Sequence, residues 1–208
     1  MKHLIALSLL ANVFFGACTN PKQPPPSQSD SLAHADSAAG ISKNSFFPVA
    51  EFLEAEILRT DSSLLALKKR TTRNGHTDSA FISIPEFNTL AIQFVPRELA
   101  DSSFEKNYTE TAFQDKTTRS ITFTYAPVDA SAGLQRVDVL TVAGQKAQQV
   151  KSIYLEKTRN AGDSVILQKL YWKAQKSFTI ATVIHVKGKP AGEEQVQVVW
   201  DDSPEEQD

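Results

Sequence analysis

Period-two alternation over the second half of this chain constrains it more than any other feature. From about Arg119 onward the segments SITFTYAP, LQRVDVLTV, QVKSIYLEKT, DSVILQKLYW, SFTIATVIHVK and EQVQVVW follow one another. The pattern is clearest at Ile121, Phe123 and Tyr125, at Phe178, Ile180, Thr182 and Ile184, and at Val196, Val198 and Trp200. Successive side chains of a strand point to opposite faces, so alternation means one face buried and the other in water. The links at 130–133, 143–146, 160–163, 173–176 and 188–192 are short and rich in Gly, Asn, Asp, Ala and Lys. Strands joined in this way pair with their sequence neighbours as an antiparallel meander.

A sheet with one apolar face needs a cover, and the residues before it can supply one. Phe46, Val49, Phe52, Leu53 and Ile57 recur at helical spacing, with Pro48 suited to the first turn. Glu51, Glu54 and Glu56 fall between them and read as the solvated face of that helix, because the spacing does not gather all three on one side. A second helix starts at Ser83, where Glu86 three residues later completes a capping box, and Phe87, Leu90, Ala91 and Phe94 make its core stripe before Pro96 ends it. Residues Ser102 to Tyr108 read as a third short helix. Between the first two helices, Asn74-Gly75 marks a tight turn and hence a hairpin. The expected fold is α+β: a curved antiparallel meander of about six strands packed against two or three N-terminal helices, with a preceding β-hairpin.

Catalytic chemistry is sparse in this sequence. There is no G-x-S-x-G elbow, H-E-x-x-H helix, phosphate-binding glycine loop or cysteine pair. His76 and Asp78 form the one compact His and Asp pair, and with Asp115 they are the groups on which a hydrolase reading would rest. His34 and His185 read as bystanders. Lys68, Lys69, Arg70 and Arg73 make a basic run that suits an anionic surface but lacks aromatic interleaving, and it reads as a solvated strand or turn. The formal net charge of −2 implies no nucleic-acid surface. No cofactor and no metal site is expected.

Before all of this stands MKHLIALSLLANVFFGAC. Lys2 and His3 are followed by an apolar run from Leu4 to Ala17 that is short for a bilayer span, the pattern of an export signal. Phe15-Gly16-Ala17-Cys18 resembles the lipobox of bacterial lipoproteins, although Phe15 stands where that family has an aliphatic residue. The resemblance implies cleavage after residue 17, lipid attachment at Cys18 and anchoring to the cell envelope. Thr19 is not the aspartate associated with inner-membrane retention, which favours the outer membrane. Cys18 is the single cysteine, so no intrachain disulfide can form. Residues 18–42, with Pro24 to Pro26 and many Ser and Ala, read as a disordered tether. A single domain is expected over 43–201 and an acidic frayed tail over 202–208.

These readings leave a non-enzymatic envelope lipoprotein that binds or scaffolds another protein as the leading expectation. One alternative is a carrier of an apolar or lipid-like ligand in a cleft between sheet and helices, since a curved sheet under helices resembles lipoprotein carriers. The other is an envelope hydrolase. Tyr154, Trp172 and Trp200 are the expected contacts for a ligand or partner, because aromatic side chains with polar handles make effective anchors.

Overall fold

The structure, a computed structural model, describes residues 45–143 and 148–203. The expected leader, Cys18 and the expected tether lie outside the described residues, as does the end of the expected acidic tail. Four α-helices come from the N-terminal half: α1 (Val49–Asp61), α2 (Ile84–Ala91), α3 (Arg97–Ala100) and α4 (Phe104–Asn107). A 3-10 turn, Ile92–Phe94, prolongs α2. Nine strands are present among the described residues: β1 (Lys68–Arg73), β2 (His76–Phe81), β3 (Tyr108–Asp115), β4 (Ser120–Pro127), β5 (Leu134–Ala143), β6 (Gln148–Ala161), β7 (Ser164–Lys173), β8 (Ser177–Val186) and β9 (Gly192–Val199).

All nine strands join one antiparallel sheet in the order β2-β1-β9-β8-β7-β6-β5-β4-β3. The α+β class and the C-terminal meander are as expected, but the strand count is nine rather than six. Two of the extra strands are the hairpin, which does not stand apart but adds to β9, with Lys68 opposite Val199 and Arg73 opposite Glu194. Its turn is the Asn74-Gly75 pair, both residues at positive φ as a type I′ turn requires. The remaining strand is β3. Residues 102–108 yield only the single turn α4, and the chain then extends along the edge of β4.

One residue of register separates the inside of this protein from its outside. The row Ala80, Lys69, Val198, Phe178, Trp172, Ile153, Val139, Phe123, Ala112 crosses every strand, and its six central members are buried. Against it pack Leu53 of α1, Phe87 and Ala91 of α2, and Phe94. The packing is largely aromatic. Phe94 meets Trp172 edge-on at 5.1 Å, Trp172 stacks on Phe178 at 5.4 Å, and Phe87 meets Trp200 edge-on at 5.7 Å. A second group, Phe46, Phe104, Tyr108 and Tyr125, closes the β3 and β4 end of the same face.

Glu56 corrects the sequence reading of α1. It is 3% exposed, and it lies on the stripe Val49, Leu53, Glu56, Thr60 rather than on the solvated face. Its Oε2 accepts a 2.7 Å hydrogen bond from the Gln175 backbone N–H and one of 3.5 Å from Trp172 Nε1; Oε1 accepts from Arg59 Nη1 at 2.6 Å. A buried carboxylate is tolerable only with such partners. Here they tie α1 to the β7–β8 turn, where Gln175 holds a positive φ of 62°. The second helix begins as expected, with Ser83 Oγ accepting from the Glu86 N–H. At the far end of that helical segment, the Gln93 carbonyl accepts a 3.0 Å bond from half-buried Lys157.

Replacing Glu56 with alanine strips Trp172 Nε1 and the Gln175 N–H of their acceptor inside the fold. We expect a loss of about 3 kcal/mol, read as a lower urea midpoint at unchanged slope. A midpoint equal to that of the parent would show the carboxylate to be dispensable.

Candidate functional site

The face of the sheet opposite the helices is left open along its central row among the described residues. Its central row is Ser79, Arg70, Gln197, Thr179, Tyr171, Tyr154, Asp138, Thr124, Thr111, again one residue from each strand. No member of this row is buried, whereas the neighbouring row on the other face is the core. Tyr154 and Tyr171 sit directly opposite each other at its centre, on β6 and β7.

Around the two tyrosines the side chains hold one another in place. Asp138 Oδ1 accepts from Thr124 Oγ1 at 2.8 Å and from Arg136 Nε at 2.9 Å, and the Tyr154 hydroxyl donates to Glu156 Oε2 at 3.1 Å. Glu156 itself lies between Arg136 on β5 and Lys169 on β7. Signs alternate along that line, so the patch is polar and preorganised without a large net charge. Burial, and then the hydrogen bond to Glu156, push the Tyr154 hydroxyl up to about 12. The hydrogen bond to Asp138 raises the Arg136 guanidinium further above its ordinary range. Such groups can bind and orient a partner.

The expected contact residues separate by face. Trp172 is 0% exposed and Trp200 7% exposed, both inside the aromatic core, so neither presents a surface to an external partner. Tyr154 alone of the three lies on the open face. Its neighbour Tyr171, 43% exposed, lies on the same face and was not among the expected contacts. Alternation carried the signal, because Tyr171 and Trp172 are adjacent and must face opposite ways.

The other sequence candidates are dispersed. His76 and Asp78 lie exposed on β2, where Asp78 Oδ1 accepts from the Ser79 N–H. Asp115 ends β3 at the opposite edge of the sheet, turned onto the Thr117 N–H and Thr118 Oγ1. Seven strands lie between those two edges. The basic run is divided by the pleat: Lys69 pairs with Glu86 and Arg73 with Glu194, while Lys68 and Arg70 project from the open face. Glu51 and Glu54 are exposed. The described residues contain no group of three His, Cys, Asp or Glu placed to hold a metal ion, and no helix among them is long and apolar enough to cross a membrane.

Two grooves lie away from the tyrosine patch. One of about 730 Å³ runs between α3, α4 and the β4–β5 loop, lined by Arg97, Glu98, Asp101, Lys106, Tyr108 and Asp129 among others. Asp101 and Asp129 are held below the usual carboxylate range by hydrogen bonds from Ser103 and Ser131, so both are ionised at neutral pH. A smaller groove of about 400 Å³ flanks the Asn74-Gly75 turn.

The raised tyrosines carry a pH signature. Burial pushes the Tyr108 hydroxyl, like that of Tyr154, up to about 12. The native state therefore keeps protons that the unfolded chain releases near pH 10, and this stabilisation is complete below pH 10 and lost as pH rises toward 12. In Glu156→Gln the Tyr154 phenol should ionise at lower pH, yet still above an ordinary tyrosine, because burial remains. Ultraviolet difference titration against Tyr154→Phe reads this, and an unchanged curve would remove the coupling to Glu156.

No protein-family model matches this chain, and the comparison with characterised proteins likewise finds no match.

Proposed function

We propose that this chain is a non-enzymatic lipoprotein of the bacterial envelope, held at the outer membrane through Cys18, whose folded domain binds a protein partner on its open sheet face. The observation that carries the reading is the row centred on Tyr154 and Tyr171. It offers two aromatic anchors, fixed charges of both signs and many hydroxyls on a surface of nine strands with none of the described helices against it. Interfaces favour this composition, since tyrosine and arginine anchors supply contact area together with hydrogen bonds. An apolar-ligand carrier would need a cleft between helices and sheet. There Phe94, Trp172, Phe178, Phe87 and Trp200 stand in mutual ring contact, which favours the outer face as the working surface.

Two experiments test the reading separately. Cys18→Ala should move the chain from the membrane fraction to the soluble fraction; retention in membranes would overturn the anchor. For the face, cross-linking in intact envelopes through a photoreactive residue at position 169 should give a discrete adduct with one protein. Tyr154→Ser with Tyr171→Ser should nearly abolish that adduct, since losing two anchors worth about 2 kcal/mol each weakens binding about a thousandfold, while thermal unfolding changes little. No adduct, or one indifferent to both substitutions, would count against the face as a binding site.

A further inference from the structure

The strand missing from the sequence reading, β3, is an unusual edge. It is eight residues long, β4 is its one neighbour among the described residues, and residues 109–114 are exposed on both faces. Natural edges are normally blunted by charged side chains, above all lysine, by proline, by a bulge or by short length, and here the one device of that kind inside the strand is Glu110, on the helix-facing side opposite Tyr125. Within Tyr108–Asp115 there is no lysine or proline, its pairing with β4 is regular from end to end, and Phe113 is 69% exposed.

Self-pairing of β3 is tightly limited by geometry. Two copies related by a two-fold axis pair antiparallel with the same face up, and directly opposite residues then share a face. Opposed positions must therefore be both odd or both even. One of the two longest registers that satisfy this puts Ala112 opposite Ala112 on the axis, Thr111 opposite Phe113, Glu110 opposite Gln114 and Thr109 opposite Asp115. It contains two aromatic–threonine pairs and sets no like charges against each other.

The same register gives the 730 Å³ groove an occupant. The groove lies where β3 begins, at Tyr108, and Lys116 is the residue just past the strand's end. Antiparallel pairing sets Lys116 of one copy opposite Tyr108 of the other, and so brings the turn that carries Lys116 and Arg119 to the end of the sheet at which Tyr108 lines the groove. That groove holds three carboxylates, Glu98, Asp101 and Asp129, against two cations, Arg97 and Lys106. Being isologous, the contact forms twice.

We propose that β3 is a self-association edge, at which a second copy of this chain pairs in the Ala112-centred register and seats its β3–β4 turn in the groove. The two-fold axis stands perpendicular to the sheet, so both helical layers lie on one side of a continuous eighteen-stranded sheet, nine from each copy. Each chain enters its domain on that side, where the Phe46 N–H donates to Glu105 and the Phe47 N–H to Tyr125. Both entry points therefore face the same way, as two chains tethered to one bilayer require. An edge contact is small, and tethering on a surface raises the effective concentration at which it forms. This surface is distinct from the Tyr154 and Tyr171 patch.

The test uses the full chain with Cys18→Ser, so that any engineered thiol is the only one. Sedimentation equilibrium should show a monomer–dimer equilibrium that Ala112→Lys weakens about tenfold or more by placing like charges on the axis, with circular dichroism and thermal unfolding unchanged. Lys116→Glu should weaken it as well. Under mild oxidation Ala112→Cys should form disulfide-linked dimers and Thr111→Cys should not. A monomer at all concentrations, a dimer indifferent to Ala112→Lys, or head-to-tail species larger than a dimer would overturn the proposal. Cross-linking through Thr111→Cys instead would overturn the register and its turn-in-groove contact.

Discussion

The pleat of the sheet is the constraint on which this domain depends. Adjacent residues of every strand belong to different environments, so Trp172 is locked in the core while Tyr171 meets solvent, and Phe178 is buried while Thr179 is not. A slip of one residue in any central strand would drive tyrosine, threonine and arginine into the helical layer and expose the aromatic row. Such a slip would lose several buried aromatic side chains at once, each worth about 2–3 kcal/mol in transfer terms alone. This cost defines the register of β4 to β9, and with it the composition of the open face. The polar row is thus a by-product of core packing as much as a surface in its own right.

Helices and sheet meet through two kinds of contact that do different jobs. The rings of Phe87, Phe94, Trp172, Phe178 and Trp200 supply area and fill space, but ring contacts alone tolerate sliding. Glu56 adds direction. Its carboxylate accepts from a backbone N–H that exists only in the β7–β8 turn and from an indole that exists only at Trp172, so α1 has one azimuth and one axial position on the sheet. A buried ionic group contributes little net stability compared with an apolar replacement of similar shape. Its contribution here is to the uniqueness of the docking.

Much of this architecture could be read directly from the residues. The six C-terminal strands announce themselves because their burial is one-sided, and the hairpin because Asn74-Gly75 is chemically suited to one turn type. The Ser83 cap was legible for the same reason. Edge strand β3 was not, since exposure on both faces erases the alternation by which a strand is recognised. Glu56 was misplaced because its charge outweighed its position, although the 4-3-4 spacing of Val49, Leu53, Glu56 and Thr60 puts it on the inner stripe. The open face was half legible. Tyr154 could be named as an aromatic with a polar handle, but setting Trp172 and Trp200 apart from it required knowing which face the helices cover.

The pairing of β1 with β9 has a consequence for how the chain acquires its structure. Strands β3 to β9 are each bonded to their sequence neighbours and can zip up in order as local hairpins, with short loops to close. The first hairpin has no such freedom. Lys68 pairs with Val199 and Arg73 with Glu194, so β1 and β2 must wait, already synthesised, until nearly the last residues of the domain have emerged. In a protein that crosses a membrane as an extended chain from its N-terminus, these strands would be the first to arrive and the last to find their place.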